Sequence, residues 1–347
     1  MVTTVRPIEF RSDNAAGIAP EILSAIAAAN SSSAAAYGHD EWTAQLHEQV
    51  AEVFEHPNVS VFPVTTGTAA NALALSALCP PWGSVLCHET AHVVRSECGA
   101  TSMFSGGAVM QGIPGDQYKL DVAGMQQAFA TTRWGDPHNS QPSVLSLTSP
   151  TDFGTIYSPD EVSDLSALAR SRGLRVHLDG SRIANALAAL GCSPADLTWR
   201  VGVDVLTLGA TKNGAATTDA IVCFDPAIAE QLVYRVKRAG HVASKMRFQS
   251  AQLSAYLADG LWLRLATAAN AALQQLAAGL VAMGIELSAE PSVNMLFFRV
   301  DDDVSARMHD AGLLFKVVGE RTIRLVTSFQ TTQADVSEAL RRIAAAL

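Results

Sequence analysis

The chain has 347 residues, of which 48% are hydrophobic and 16% charged, and its formal net charge is −9 at pH 7. So many apolar side chains exclude a disordered protein and can fill the cores of one large domain and a smaller one. The negative charge disfavours nucleic acid as a partner, and we expect no membrane span, because no apolar run of about 18 residues without charge occurs.

The N-terminal sequence "MVTTVRPIEFRSDNAAG" has no basic start followed by an apolar stretch, so we expect no secretory signal. Cysteines are odd in number and form no Cys-x-x-Cys pair; they are Cys79, Cys87, Cys98, Cys192 and Cys223. Reduced thiols in this pattern are typical of a cytoplasmic protein, and we expect neither a disulfide framework nor a metal site.

Strand-like and helix-like segments alternate between about residues 60 and 225. The strand "VSVFPV" leads into the helical "TGTAANALALSALC", and the strand "GSVLCHE" follows. Next, "PSVLSLTS" precedes the helical "SPDEVSDLSALARSRG", whose Ser158-Pro159 opening is typical of a helix cap with proline in the first turn. The strands "LRVHLDG", "VDVLTLG" and "DAIVCF" come after it. This alternation predicts an α/β domain with a mostly parallel sheet.

After about residue 245 the pattern changes to one long Ala/Leu-rich helical region that we expect to break near Asp259-Gly260. The segments "NMLFFRV", "LLFKVVG" and "TIRLVTSF" predict a small sheet, backed by a last helix over residues 332–346. We therefore expect an N-terminal segment over 1–20 that contributes to the functional site. A large α/β domain follows over 21–248, and a small α+β domain over 249–347.

A single lysine, Lys212, lies in "LTLGATKNGAATTDA" between two apolar strand-like runs. Held between buried strands, an ammonium loses hydration, which lowers its pKa and makes a nucleophilic amine accessible near neutral pH. The alternative is a loop lysine whose charge reaches solvent.

Two further segments point to the same place in the fold. In "TTGTAANALAL" a strand ends, Gly67 allows a turn, and a helix begins. The free N–H groups at the start of such a helix can bind a phosphate. The pattern is neither a Rossmann nor a Walker motif. Asp179 ends the strand "VHLDGSR" 33 residues before Lys212, at the edge where open α/β sheets bind ligands. An ordinary helix cap is the alternative for each.

A phosphate site, a buried acid and a buried amine are the parts needed to hold pyridoxal 5′-phosphate. The segments "FRSDNAAG", "AYGHDEWTAQL", "TTGTAAN", "VHLDGSRIANAL", "TKNG" and "TIRLVTS" occur in the order and spacing found in one family. From about residue 10 to 330 the chain resembles the low-specificity L-threonine aldolases, fold-type I enzymes of the aspartate aminotransferase class. The resemblance implies a mixed, mostly parallel seven-stranded sheet and a small C-terminal domain.

The resemblance also implies a role for individual residues. Lys212 should carry the cofactor, and Asp179 should pair with its pyridinium nitrogen. The other expected cofactor contacts are Gly67, Thr68 and Asn71 at the phosphate, Arg182 near the phenolic oxygen, His92 on the ring, and Arg247 on the phosphate of a neighbouring subunit, with Lys237 or Arg238 as alternatives. The expected substrate contacts are Ser12, Tyr37, Arg182 and Arg324, and His138 is expected as a second active-site histidine.

The implied reaction is a carbon–carbon lyase reaction, in which L-threonine, L-allo-threonine or a related β-hydroxy-α-amino acid such as phenylserine gives glycine and an aldehyde. Either His92 or His138 can be the base, and the implied assembly is a homodimer or homotetramer with shared active sites. Another pyridoxal phosphate enzyme, a β-eliminating lyase, racemase or aminotransferase, would use the same lysine and aspartate. A non-catalytic regulator is the alternative outside enzymes. The segment "TSPTDFG" departs from the more widespread branch of the family and leaves the substrate preference open.

Overall fold

The computed structural model describes residues 6–347, so the first five residues of the expected N-terminal segment lie outside it. Its helices are α1 (Pro20–Ala29), α2 (Glu41–Val53), α3 (Gly67–Leu78), α4 (His92–Arg95), α5 (Ala100–Ser105), α6 (Val122–Thr131), α7 (Pro159–Arg170), α8 (Ile183–Leu190), α9 (Pro226–Arg238), α10 (Arg247–Leu257), α11 (Leu261–Ala282), α12 (Asp302–Asp310) and α13 (Gln333–Ala346). Its strands are β1 (Ile8–Glu9), β2 (Ser60–Val64), β3 (Gly83–His88), β4 (Val109–Ile113), β5 (Gln141–Thr148), β6 (Arg175–Gly180), β7 (Val205–Leu208), β8 (Asp219–Cys223), β9 (Met295–Arg299), β10 (Leu313–Leu314), β11 (Lys316–Val317) and β12 (Thr322–Val326).

The central sheet of the described residues has seven strands in the order β2-β8-β7-β6-β5-β3-β4. Neighbouring strands are parallel except at β8, which runs antiparallel to both β2 and β7. In the β6–β7 ladder Asp179 lies opposite Thr207, one pair before both strands end. The predicted mixed, mostly parallel seven-stranded sheet is confirmed, and its topology brings the carboxyl ends of β6 and β7 to one edge.

Helices cover both faces of this sheet, because its strands are apolar on both sides. Val144 of β5 packs on the face covered by α3 and α9, whereas the next residue, Leu145, packs on the opposite face. That opposite face is covered by α1, α2, α6, α7, α8 and α10. The large domain is thus a sheet between two helical layers, which is the architecture that the alternating strands and helices predict.

The C-terminal part contains a three-stranded antiparallel sheet in the order β11-β12-β9. Its core also takes apolar side chains from α13 and from the second half of α11, and the short β1 pairs with β10. The expected domain boundary at residue 249 falls near the start of α10, which packs on α1 and α2. Helix α11 joins the two cores, since Trp262 packs in the large one and Leu273 in the small one.

By length and composition, the helical stretch Arg247–Ala282 could cross a membrane. It is interrupted where the sequence predicts a break, at Asp259, whose φ is 49°, and at Gly260. The two helices on either side supply Leu253 and Trp262 to the main core. Both helices therefore contribute to the packing of the large domain.

Candidate active site

A cavity of about 770 Å³ opens at the carboxyl ends of β6 and β7, between the large sheet and the small domain. The residues that line it come from the N-terminal segment, the start of α3, α4, the loops after β5, β6 and β7, and the small sheet. Among them are the predicted site residues Ser12, Gly67, Thr68, His92, Arg182, Lys212 and Arg324. Open α/β sheets bind ligands at this edge.

Lys212 lies in a short 3-10 turn, Thr211–Asn213, that follows β7. The turn is held by the carboxylate of Asp219, whose Oδ1 accepts hydrogen bonds from the backbone N–H groups of Ala210 (2.8 Å) and Thr211 (3.0 Å). Burial lowers the pKa of Lys212, and the neighbouring Arg182 guanidinium lowers it further. The amine is therefore a stronger nucleophile at neutral pH than a solvated lysine.

The residue after the lysine ties this turn to the helices behind it. Asn213 Nδ2 donates to Tyr256 Oη (3.0 Å) and to the carbonyl of Trp262 (2.8 Å). Tyr256 in turn donates its hydroxyl hydrogen to the carbonyl of Gly209 (3.1 Å). Both side chains are buried, so these bonds fix the path of the lysine turn between β7 and α10.

Asp179, at the end of β6, is fully buried and has hydrogen bonds to both carboxylate oxygens. Oδ1 accepts from the N–H and the hydroxyl of Ser181 (3.0 and 2.7 Å), and Oδ2 accepts from Asn71 Nδ2 (3.1 Å). Burial acts to raise the pKa of Asp179, but the Ser181 hydrogen bonds and the Lys212 charge outweigh it and lower the pKa. A buried carboxylate is thus kept ionised at the rim of the sheet.

His92 begins α4 and faces the cavity. Its Nδ1 lies 2.8 Å from Oε1 of Glu97, and Asn71 Nδ2 donates to that same oxygen (2.8 Å). The Glu97 carboxylate is the main reason why the pKa of His92 is raised. Asn71, which the resemblance places at the phosphate, instead lies between the carboxylates of Glu97 and Asp179 and is not among the cavity-lining residues.

Arg182 forms a buried, two-pronged ion pair with Asp13 of the N-terminal segment. Its Nε donates to Oδ2 (2.6 Å) and its Nη2 donates to Oδ1 (3.0 Å). Asn294 Nδ2 adds a third hydrogen bond to Asp13 Oδ2 (3.1 Å). These contacts fasten the segment that carries Ser12 against both domains, and they occupy one edge of the guanidinium that was expected to face cofactor and substrate.

Arg324 lies on β12 directly opposite Lys316 of β11, and both side chains line the cavity. Nη2 of Arg324 donates to the carbonyl of Arg11 (3.1 Å), whereas its buried Nε has no hydrogen-bond partner within residues 6–347. Burial, followed by the nearby Arg182 charge, lowers the pKa of Arg324. An unpaired buried N–H of a cationic side chain is suited to bind an anion such as a carboxylate.

The first turn of α3 forms the opposite wall of the cavity. Thr66 caps the helix by accepting a hydrogen bond at Oγ1 from the N–H of Ala69 (3.1 Å). Gly67 and Thr68 then present the N–H groups of the first turn, which have no acceptor inside a helix. This end of α3 is suited to bind a phosphate.

Besides Asn71 and the buried Asp179, three further predicted site residues are not among those that line this cavity. His138 lies exposed in a loop, where its backbone N–H donates to Asp136 (2.9 Å). Tyr37 is 53% exposed and stacks under the ammonium of Lys237. Arg247 donates from Nε to the carbonyl of Ala29 (3.0 Å) at the start of α10.

Sequence reasoning missed three buried acids that organise the site: Asp13, Glu97 and Asp219. Asp13 follows Ser12 in "FRSD", Glu97 comes five residues after His92, and Asp219 begins the strand "DAIVCF". The position of Asp219 at the start of an apolar strand indicates a buried acid, and a buried acid requires hydrogen-bond donors around it. Asp13 and Glu97 carry no comparable signal.

Comparisons of the sequence and of the fold with known proteins indicate the same family. A family model described as Beta-eliminating lyase matches residues 9–303. The chain is 41% identical over 333 residues to a low specificity L-threonine aldolase of Pseudomonas sp., covering 95% of each protein. Its fold matches that of the Leishmania major threonine aldolase with a TM-score of 0.89, 28% identity and 98% coverage of both chains. Aspartate aminotransferase from Thermus thermophilus shares the fold, with a TM-score of 0.69 and 18% identity over 100% of this chain and 91% of that one.

Proposed function

The chain belongs to the low-specificity L-threonine aldolases, a family of pyridoxal phosphate-dependent lyases, and we propose that the cavity around Lys212 is where its aldol cleavage takes place. The substrates are L-threonine, L-allo-threonine and related β-hydroxy-α-amino acids, and the products are glycine and an aldehyde. The observation that carries this site is the meeting of Lys212, the ionised Asp179 and the open end of α3 at one edge of the sheet.

The residues present fit pyridoxal phosphate. Four neighbouring groups favour the ionised form of Asp179, and its carboxylate could accept a hydrogen bond from a protonated ring nitrogen, while Lys212 offers an amine with a lowered pKa. Gly67 and Thr68 offer N–H groups for a phosphate, and the unpaired Nε of Arg324 marks a place for a further anion. When bound at Lys212, pyridoxal phosphate supplies an electron sink for the pair left on Cα when the Cα–Cβ bond breaks.

Each of the other side chains has a role that follows from its position in the cavity. Arg324 and Ser12 bind the α-carboxylate of the amino acid, and this orients the bond to be broken. The ionised Asp179 would stabilise a proton on the ring nitrogen of the bound cofactor. His92 removes the proton of the β-hydroxyl group through Nε2, because its Nδ1 is already held by Glu97. His92 is proposed as the base in preference to His138, which lies outside the cavity.

A β-eliminating lyase, a racemase or an aminotransferase is distinguished by its products. The enzyme is incubated with L-threonine, L-allo-threonine, phenylserine and their D forms, and glycine and aldehyde are measured. We expect equimolar glycine and aldehyde from the L forms. Ammonia and a keto acid, an inverted amino acid, or a transferred amino group without aldehyde would contradict aldol cleavage and identify the other reaction.

The role of Lys212 is tested without any turnover. Borohydride reduction of the cofactor-loaded enzyme, followed by peptide mapping, should place the cofactor label on the peptide that contains Lys212. The variant Lys212→Ala should lose the visible absorbance of the covalently held cofactor. A label on Lys237 or Lys245 would show that the attachment site is wrong.

We also propose a homo-oligomer in which one chain completes the site of another. Tyr37 and the cations Lys237 and Arg247 lie outside their own chain's cavity, and Tyr234 of α9 is 76% exposed nearby in sequence. An anionic cofactor in a partner subunit would give these groups a ligand. Mixing inactive Lys212→Ala and Arg247→Ala chains should restore part of the activity through hybrids with one intact site. An enzyme that sediments as a monomer and is fully active would contradict the shared site.

A further inference from the structure

Three buried polar side chains, those of Glu97, Asn71 and Asp179, form a connected network next to the cavity. Glu97 and Asp179 are joined through Asn71, whose amide nitrogen lies 2.8 Å from Glu97 Oε1 and 3.1 Å from Asp179 Oδ2. The side chain of Glu97 is 0% exposed, whereas that of His92, which it contacts, is 33% exposed. Glu97 therefore borders the cavity as a fully buried side chain, whereas His92 is partly open to solvent.

The backbone holds Glu97 in this place by an unusual turn between α4 and α5. Cys98 has a φ of 52° and Gly99 a φ of 73°, two consecutive residues in the left-handed region. A non-glycine residue adopts this conformation only when its surroundings require it. This turn follows Glu97 directly, and the Glu97 side chain contacts His92, the first residue of α4.

The hydrogen bonds of this network define where its protons lie. Asn71 is flanked by two carboxylates, so its amide must present both N–H groups to them and cannot be turned over. Oε1 of Glu97 thus accepts from Asn71 and is close to Nδ1 of His92. Burial and the Asp179 charge raise the pKa of Glu97, but the pKa of His92 is raised as well, and an imidazole nitrogen is ordinarily more basic than a carboxylate, so we assign the shared proton to Nδ1. Nε2, on the opposite side of the ring, then carries a lone pair.

We propose that Glu97 is a positioning residue for His92: its carboxylate fixes the imidazole in the tautomer that presents the Nε2 lone pair to the cavity, and Asn71 holds that carboxylate in register with Asp179. The inference rests on the proposed function, in which Nε2 of His92 accepts the β-hydroxyl proton. A carboxylate bonded to the far nitrogen both selects the tautomer and stabilises the cation formed once the proton arrives.

The carboxylates near His92 all act on its pKa in the same direction. Glu97, Asp152 and Asp179 each favour the protonated ring, the contact with Glu97 being the strongest, and they outweigh the effect of burial. Lys212 and Arg95 line the same cavity, and Nε of Arg95 is bonded to a backbone carbonyl. Replacing Glu97 by glutamine should therefore lower the pKa of His92, and it should also allow either ring nitrogen to bond with the amide.

The tautomer is measured directly on the cofactor-loaded enzyme by NMR with ¹⁵N-labelled histidine. The signals of His92 are identified by their absence from the His92→Asn variant. We expect Nδ1 to be protonated and Nε2 not, at pH values above the ring's titration. A proton on Nε2 in the unchanged enzyme would overturn the proposal, and this result needs no variant of Glu97 to fold.

The variant Glu97→Gln tests the consequence, with Glu48→Gln on the exposed side of α2 as the matched control. We expect Glu97→Gln to mix the tautomers and to lower the plateau of kcat/KM by about tenfold to a hundredfold, as when a proton-transfer group is misoriented. The acidic limb of the pH profile should move to lower pH, because the base becomes easier to deprotonate. The control should change neither.

A purely structural role for Glu97 would lower the plateau through loss of folded enzyme and leave the limb in place, which would overturn the proposal. An enzyme with Nδ1-protonated His92 that releases no aldehyde would support the positioning and contradict the proposed function. Normal cleavage, with the limb and the tautomer unchanged in Glu97→Gln, would contradict the positioning and leave the function intact.

Discussion

The ion pair between Asp13 and Arg182 offers a test of how the N-terminal segment is held. Asp13 is 2% exposed and Arg182 is 8% exposed, so the substitution Asp13→Asn leaves a buried guanidinium without its main counter-charge. Breaking a buried pair in this way costs about 3–5 kcal/mol. Asp152 and Asp179 also act on Arg182 and remain in the variant, so we expect the low end of this range, about 3 kcal/mol.

This free energy converts to a melting temperature. An unfolding entropy of about 2.1 cal/mol/K per residue gives about 0.7 kcal/mol/K for 347 residues, so 3 kcal/mol corresponds to a decrease of about 4 °C. The assay is thermal unfolding at pH 7, followed by calorimetry or circular dichroism. Asp303→Asn is the matched control, because Asp303 pairs with Arg307 on the surface at 2.7 Å, and we expect no measurable change in its Tm.

The pH dependence adds a second test of the same reasoning. Despite burial, the Arg182 charge lowers the pKa of Asp13 in the folded chain. A lowered folded-state pKa contributes stability above the ordinary aspartate range, and the contribution is lost as the pH falls through the folded value. The Tm difference between the two proteins should thus persist from about pH 5 to 8 and shrink below about pH 3.9. A decrease of less than about 1 °C at pH 7, on the scale of a surface pair, would refute the reasoning.

Other substitutions give distinct outcomes. Arg324→Ala should leave the cofactor absorbance intact and reduce kcat/KM for threonine by about tenfold to a hundredfold, the scale of one hydrogen bond to a charged group; loss of cofactor would contradict its role. Asp219→Ala removes the acceptor of two N–H groups in the lysine turn and should speed cofactor loss on dialysis, whereas Asp219→Asn, which keeps an oxygen there, should retain it. His138→Ala should keep kcat within about twofold while His92→Ala lowers it by about a hundredfold or more; a large loss at His138 would show that its loop serves a partner's cavity.

The strands of the central sheet that the sequence predicts are those with apolar side chains on both faces. Strands β6, β7 and β8 read as short apolar runs because helices cover both of their sides. Helix α7 is predicted from its cap, and the structure confirms a full capping box between Ser158 and Glu161. Strand β4 was not predicted, because it lies at the edge of the sheet with mostly exposed or half-buried residues and has no apolar pattern.

The lysine and the acid at the strand ends follow from local sequence, but their partners do not. Asp13 and Arg182 are 169 residues apart in the chain, and Asn71 and Asp179 are 108 apart. Sequence spacing describes neighbours along one element, whereas these pairs are set by how the elements pack. The positions of Asn71 and Arg182 were therefore expected from the resemblance alone, and their contacts with buried acids could be found only in the folded chain.

Two buried aspartates beside Lys212 differ in the direction of their pKa shift, and the difference matches their places in the cavity. Burial raises the pKa of Asp219 despite its two backbone hydrogen bonds, whereas Ser181 and Lys212 overcome burial at Asp179. A Cβ placed on Gly67 would lie 3.9 Å from Asp219 Oδ2, so Asp219 borders the end of α3 proposed for the phosphate. An ionised carboxylate there would repel a phosphate, and the raised pKa makes the charge of Asp219 easier to neutralise than that of Asp179. Two aspartates close to the same lysine thus differ in the direction of their pKa shift, because their hydrogen-bond donors and neighbouring charges differ.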